Sequence, residues 1–287
     1  MIDSVKMAAN RAAPQTGTNT SPQTGKSGLI GSTGFVGQTL LRERDFDACY
    51  HSTDIHQIDG QHFDLLICAG VKAVKWYANQ HAQEDRMGID NLIAHLKTVT
   101  AQRMVLISTV DVFAQPIGVY EDSTTSEEAL CPYGLNRLYL EHFVQQTFPQ
   151  ALIVRLPGLV GPGLKKNVIY DFLNQNCLDA VNAADSFQFY PMRQLNADLN
   201  LLLAHNVSGI VHLTAAPVTV QEVARSCFNL DFTQTLARPA VRYDLRSHLA
   251  ATLWGKSDYQ YSKEESLAAI RDYACTEPRK STEAPAP

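Results

Sequence analysis

The chain reads as an α/β protein built on a doubly wound parallel sheet with a smaller C-terminal lobe, and three observations carry that reading. Short apolar runs at residues 28–30, 63–68, 104–107 and 152–156 alternate with stretches of helical periodicity. The runs are almost continuously apolar rather than alternating, as strands covered on both faces are. A glycine-rich turn, Gly31-Ser32-Thr33-Gly34-Phe35-Val36-Gly37, stands directly between the first run and the first helical pattern.

Taken in order, residues 1–26 are rich in Thr, Gln, Asn, Ala and Gly and lack the apolar stretch of a secretory signal, so a disordered leader is expected. The first strand, residues 28–30, runs into the glycine turn and a helix marked by Gln38 to Leu41. A second strand is expected to end near Cys49 and Tyr50. The run 63–68 is too short for a helix and ends at Ala69-Gly70, after which Ile89, Leu92, Ile93, Leu96 and Val99 recur at helical spacing. The strand 104–107 ends at Ser108-Thr109, and Leu135, Leu138, Phe143, Val144 and Phe148 mark the next helix. The strand 152–156 is closed by Pro157-Gly158. Beyond residue 165 the spacing loosens, with one clear strand at 210–213 and a capping-box start, Thr219-Val-Gln-Glu222, to a helix reaching Phe228. Residues 276–287 carry three prolines and mixed charges and are expected to be a disordered tail. The organisation expected is a dinucleotide-binding domain over 27–163, then a mixed segment over 164–275 holding a substrate lobe and returning strands.

Composition narrows the class. A formal net charge of −5 with 18% charged residues and no basic block argues against nucleic acid or an anionic membrane as main partner. No apolar stretch approaches the roughly 18 to 20 residues of a spanning helix. The six cysteines show no CxxC spacing and read as reduced thiols of a cytoplasmic protein. The partners expected are a small-molecule substrate and, among proteins, a second copy in a homodimer. No metal is expected: His51, His56 and His62 have no carboxylate or Cys at ligand spacing and read as loop histidines.

The glycine turn has the context a dinucleotide phosphate requires. Its first glycine permits the tight turn, the second allows close backbone approach to a pyrophosphate, and the third lets helix pack on strand. The following helix N-terminus supplies unpaired N–H groups. A glycine-rich turn is also, simply, a turn. Further along, Thr109 lies at a strand end, and Tyr133 and Arg137 are four apart on one face of a helix. A hydroxyl, a phenol and a cation together suggest proton transfer at a carbonyl or alcohol. A cation at roughly 4 Å favours phenolate by up to about 4 kcal/mol at an effective dielectric near 20, bringing the phenol toward neutrality. The same residues also suit an ordinary amphipathic helix with one aromatic and one surface Arg.

In order, the Gly-x-x-Gly-x-x-Gly turn, the Ser108-Thr109 strand end, Pro132-Tyr133-Gly134 with Arg137, and Arg155-Leu-Pro-Gly-Leu-Val-Gly-Pro162 resemble the extended short-chain dehydrogenase/reductases over about residues 27 to 225. These are Rossmann-type NAD(P)-dependent epimerases, dehydratases and reductases acting mostly on nucleotide sugars. The resemblance implies Thr109 and Tyr133 as catalytic residues, with Arg137 where the family has Lys. It implies cofactor contacts from Gly31, Ser32, Thr33, Gly34, Phe35, Val36, Gly37, Ala69, Gly70, Tyr133, Arg137 and Pro157. Arg137 keeps the charge of the family's Lys with a bulkier, planar group. About 30 residues separate Gly34 from Asp64, so the second-strand region is trimmed, somewhat as in dTDP-4-dehydrorhamnose reductases.

An acid at the end of the second strand would hold the ribose 2′-OH of NAD. Here His51 and Ser52 come first and Asp54 later, so NADP is slightly favoured over NAD, with His51 and Ser52 facing the 2′-phosphate. Lys72, Lys75 and Trp76 follow Ala69-Gly70 in a loop the family uses for substrate; Lys165, Lys166 and Asn167 follow Gly161-Pro162-Gly163, with Asn167 matching an Asn that often contacts the substrate's phosphates. Gln188, Tyr190 and Arg193 fall where the family places a substrate-binding strand, though Phe189 and Tyr190 also suit a core. Two functions follow: an NAD(P)-dependent oxidoreductase or epimerase acting on a hydroxyl or keto group of a nucleotide sugar or similar small polar substrate, or a catalytically silent NAD(P)-binding regulator or interaction module.

Overall fold

The computed structural model describes residues 5–6 and 25–280. The described residues divide into two compact units: those up to 114, with 121–155 and 195–212, form one, and 115–120, 156–194 and those from 213 onward the other. After residue 194 the chain returns to the first unit to add a helix and a strand.

Element numbers run along the chain. The first unit holds a central sheet of six parallel strands: β2 (Ser27–Ile30), β3 (Ala48–Tyr50), β4 (His62–Cys68), β5 (Thr100–Thr109), β7 (Leu152–Leu156) and β11 (Ser208–His212), in the spatial order β3-β2-β4-β5-β7-β11. A short β1 (Val5–Lys6) lies antiparallel on β11; the rest of the expected leader, up to residue 24, lies outside the described residues. Flanking helices are α1 (Phe35–Leu41), α2 (Lys75–Gln80), α3 (Ala82–Leu96), α4 (Pro132–Thr147) and α6 (Leu195–Ala204). Period two in the strands sends Ile30, Leu66, Cys68, Met104, Leu106 and Ile153 into one cluster with Ile89, Leu92, Ile93 and Leu96 of α3 and Leu140 and Val144 of α4. The intervening Leu29, Ile67, Val105 and Val154 are equally buried. Both faces are therefore covered, which is why the strands read as continuous apolar runs. Each such side chain contributes about 1.5–3 kcal/mol on burial.

The second unit is held by short ladders. β8 (Gly158–Val160) pairs in parallel with β10 (Phe189–Pro191), β9 (Ser186–Phe187) antiparallel with β12 (Val218–Thr219), and β6 (Ile117–Val119) in parallel with β13 (Asp244–Leu245). Around them stand α5 (Val168–Asn174), α7 (Val220–Phe228), α8 (Leu249–Trp254) and α9 (Lys263–Thr276). The expected capping box forms at α7, with Thr219 and Glu222 bonded reciprocally, and a second at α9 through Ser262 and Glu265. Phe172 packs against Phe228 and Phe232 at 5.5 and 5.2 Å between ring centres. The first residues of the expected disordered tail are ordered, which corrects that expectation. Thr276 ends α9, the Glu277 carboxylate accepts from the Gly163 N–H at 3.0 Å, and the Lys280 N–H donates to Asn174 Oδ1 at 2.8 Å. Among the described residues no helix is long and apolar enough to cross a membrane.

Candidate active site

The glycine turn is bolted to its neighbours through backbone. Gly31 sits at φ +89°, and a Cβ there would lie 2.4 Å from the Ala69 carbonyl oxygen and 2.6 Å from Gly70 Cα. Gly31, Ala69 and Gly70 are thus pressed together. At Gly37 a Cβ would lie 2.1 Å from the Gly31 carbonyl oxygen, so α1 can approach β2 only with glycine in that place. Gly34 is different: its φ of −78° suits any residue, and the nearest atom to a Cβ is Gly31 O at 3.3 Å. Among the described residues that one contact is all a Cβ at 34 would meet, and Gly34 is exposed beside Thr33 at the entry to α1. Phe35 and Val36 are half-buried and Ser32 is buried.

The Tyr50 carbonyl at the end of β3 accepts from Gly31 N at 2.8 Å, Ser32 N at 3.2 Å and Ser32 Oγ at 3.3 Å. Immediately beyond it the chain folds back on itself. Asp54 Oδ1 accepts from the His51 N–H at 2.7 Å and Oδ2 lies 2.9 Å from His51 Nε2, while His51 Nδ1 bonds Thr53 Oγ1 at 2.9 Å. Both ring nitrogens of His51 are therefore engaged within the turn. Asp54, which counting along the sequence placed too late, is brought to the end of the second strand.

Thr109 and Tyr133 meet. Thr109 neighbours the Tyr133 phenol and opposes the rise in its proton affinity, and the Thr109 hydroxyl accepts from the Asp111 N–H at 3.2 Å. Tyr133 begins α4 just after Pro132, and its own N–H donates to Asn79 Oδ1 of α2 at 3.0 Å. Gly134 allows α4 to touch the turn after β5: a Cβ there would lie 2.1 Å from the Asp111 carbonyl oxygen. Further along α4, Glu141 is fully buried; it accepts from Ser108 Oγ, next to Thr109, and holds Arg155 of β7 with Nη2 at 2.6 Å and Nε at 3.1 Å. These bonds set the end of β5 against the helix that carries Tyr133.

Arg137 corrects the expectation that it would ionise the phenol. Its guanidinium lies over the Tyr133 ring, 4.2 Å from the ring centre. Its nitrogens bind Asp85 of α3 in two-point fashion at 2.7 and 3.0 Å and donate to the Lys72 carbonyl. Arg137 and Asp85 are both buried, and Asn136 Nδ2 adds a bond to the same carboxylate at 2.8 Å. The proton affinity of Tyr133 is raised, not lowered: burial dominates, Arg137 opposes it, Asp111 adds to it, and Thr109 and Lys75 oppose it. Lys75 pairs with Asp111 at 2.8 Å, while Trp76 is 64% exposed.

The remaining expected residues lie in the second unit. Pro157 is buried directly after β7. Asn167, at φ +104°, uses both ends of its amide on backbone, accepting from Ile169 N at 3.0 Å and donating to Leu159 O at 2.9 Å, so it caps α5. Tyr190 is fully buried and packs edge-on against Tyr261, and Phe189 is buried beside it; Tyr190 is core, not a substrate contact. Gln188 ties Thr214, Ala215 and Leu245 together inside the unit. Arg193, Lys165 and Lys166 are exposed. Among the described residues no group of His, Cys, Asp and Glu is arranged to hold a metal ion.

Residues 47–182 match the model of the NAD dependent epimerase/dehydratase family. No curated protein gives a significant sequence match to the chain. Among solved structures, the enzyme WbmG of Bordetella bronchiseptica in complex with NAD and UDP superposes with a TM-score of 0.69 at 14% identity, covering 89% of this chain and 96% of that one. RMD of Pseudomonas aeruginosa, complexed with NADPH, gives 0.67 at 17% identity, covering 87% and 98%. A dTDP-4-dehydrorhamnose reductase of Clostridium acetobutylicum gives 0.65 at 18% identity, covering 86% and 98%. At these identities the likeness is one of fold: the Rossmann-like α/β architecture of epimerases and reductases.

Proposed function

We propose that this chain, whose residues 47–182 match the model of the NAD dependent epimerase/dehydratase family, is an NAD(P)-dependent oxidoreductase or epimerase acting on a hydroxyl or keto group of a nucleotide sugar or similar small polar molecule. The observation that carries the reading is the nearness of Thr109 to the Tyr133 phenol, in a chain whose Gly31 and Gly37 leave no room for a Cβ while Gly34 stands exposed at the entry to α1.

A dinucleotide fits that turn. Gly31, Ser32, Thr33, Gly34, Phe35, Val36 and Gly37 would hold its phosphates, with Ala69 and Gly70 as further contacts. When bound, the nicotinamide supplies or accepts the hydride. The chain's own part is the proton. With its affinity raised, Tyr133 carries its proton at neutral pH and is poised as general acid toward a carbonyl oxygen, which suits reduction of a ketone. Thr109 hydrogen-bonds the same oxygen as charge develops. His51 and Ser52 were the grounds for NADP. The Asp54 carboxylate at the end of β3 instead favours NAD, since an acid there accepts from the ribose hydroxyls and repels a 2′-phosphate.

The test is calorimetry with NAD and NADP, followed by assay of nucleotide-linked sugars with each cofactor. Tyr133→Phe should keep cofactor affinity and lose about two to four orders of magnitude in turnover. Binding without turnover on any sugar nucleotide would favour the silent regulator, which the engagement of Arg137 by Asp85 also suits. Absence of binding to either dinucleotide would refute both.

A further inference from the structure

We propose that Arg137, held by Asp85, is a positioning residue: it clamps the segment after β4 onto α4 and so fixes the spacing between the glycine turn and Tyr133. The inference rests on the reading of that turn as the dinucleotide site and of Tyr133 as the proton-transfer group. The task differs from the cofactor contact that the family motif implies for Arg137.

The segment in question, residues 69–80, is the loop after β4 together with α2, and it is tied at both ends. At its start the Ala69 N–H donates to the Ile30 carbonyl at 2.9 Å, and a Cβ at Gly70 would lie 2.6 Å from Ile30 Cγ2. The first residues after β4 are thereby pressed against the end of β2 and the glycine turn. Near its far end Asn79 Oδ1 accepts from the Tyr133 N–H at 3.0 Å. Arg137 supplies a tie between these two, donating from Nη2 to the Lys72 carbonyl. The same planar group lies over the Tyr133 ring, 4.2 Å from its centre. One guanidinium thus touches both the ring that carries the phenol and the loop that leaves the glycine turn.

Asp85 explains why the guanidinium stays there. Its carboxylate takes Nη1 at 2.7 Å and Nη2 at 3.0 Å, and the Arg137 and Asp85 side chains are only 6% and 7% exposed. Asn136 Nδ2 braces the same carboxylate at 2.8 Å and donates to the Ala82 carbonyl at 3.2 Å, where α3 begins. The pair is electrically compensated, and its two parallel bonds fix direction as well as charge. A lysine has one ammonium on a flexible stem. It cannot hold a carboxylate at two points, a carbonyl and a ring face together. The clamp therefore requires arginine, and the family's lysine is not its equivalent in this chain.

The test applies calorimetry with NAD and with NADP, amide hydrogen exchange read by mass spectrometry, and thermal melting to the full chain. Two variants are used. Arg137→Lys keeps a cation beside Asp85, and the neutral double variant Asp85→Asn/Arg137→Gln leaves no buried charge unpaired, so that folding is preserved. Loosening the clamp lowers the fraction of molecules in the competent arrangement and weakens apparent affinity by that fraction. Each variant should lose about tenfold in dinucleotide affinity, as for a competent fraction near one tenth. Exchange should rise in residues 70–80 and in the peptide holding the Tyr133 amide, while β4 and β5 stay protected. Asp90→Asn, a half-exposed change on α3, should alter none of these readouts. Unchanged exchange at 70–80 in both variants means there is no clamp, and exchange rising equally in β4 and β5 means a pair that serves the fold alone; either overturns the proposal. So does a folded Arg137→Lys protein that binds as tightly as wild type. If wild type binds neither dinucleotide, the enzymatic reading fails by itself, and exchange still decides whether Arg137 holds the segment.

Discussion

Substituting the three glycines of the turn one at a time separates the glycines the fold needs from the one a ligand needs. At Gly37 an added methyl would lie 2.1 Å from the Gly31 carbonyl oxygen and 3.0 Å from Ser32 Cα, both backbone. Relief to an ordinary contact requires α1 to move off β2 by more than an ångström. Overpacking of this kind costs about 1–3 kcal/mol or more, a fall in melting temperature of roughly 2 to 12 °C at about 2–4 °C per kcal/mol for a chain of this size. Gly31→Ala meets the Ala69 carbonyl at 2.4 Å and must also hold φ +89°, and should behave likewise. Gly34→Ala meets a single atom at 3.3 Å with an ordinary φ, so its cost should stay under about 1 kcal/mol. Denaturation and calorimetry on the same preparations then part the two effects: Gly37→Ala should melt early, whereas Gly34→Val should melt near wild type and lose dinucleotide binding. Unchanged NAD(P) affinity in a folded Gly34→Val protein would refute the assignment of this turn to the pyrophosphate.

Glu141→Gln removes the charge that compensates Arg155, itself almost fully buried, and should cost about 3–5 kcal/mol in denaturant unfolding; a loss below about 1 kcal/mol would mean the pair does not fix β7 to α4. Asp54→Asn should raise the ratio of NADP to NAD affinity by about tenfold, one unit charge near a 2′-phosphate being worth that much at a partly exposed site; an unchanged ratio in calorimetry would remove Asp54 from the ribose. Deleting residues 277–287 removes the Glu277 carboxylate from the Gly163 N–H and the Lys280 N–H from Asn174. The expected loss is about 1–2 kcal/mol by thermal melting, and an unchanged melt would show the tail end to be dispensable.

The first unit was legible because its physics is local and repetitive. A strand buried on both faces must be apolar throughout, so β2, β4, β5 and β7 announced themselves, and the Thr219–Glu222 box marked α7 by its cap alone. The same signal, Ser262-x-x-Glu265, stood at the start of α9 and could have found that helix. The ladders of the second unit are two or three residues long, below the length at which period two is visible, and they are secured by single side chains such as Gln188 that no spacing predicts.

The site divides along the same line. Tyr133 and Thr109 were readable because each sits at the end of a recognisable element, and Arg137 because it is one helical turn from Tyr133. What Arg137 does was not readable, since its partner Asp85 lies 52 positions away and belongs to another helix. A cation's effect on a neighbour depends on its net charge after pairing, and pairing is a property of the fold rather than of the motif. Asp54 failed to be read for the opposite reason: its partner is three residues away, but the turn that brings it back to His51 lies beyond a strand of only three residues. In both cases residue identity named the charge, and only tertiary structure said where that charge is spent. That is why Asp54, rather than Arg137, is the charge the predictions above put to the test; Arg137 is tested for what it holds.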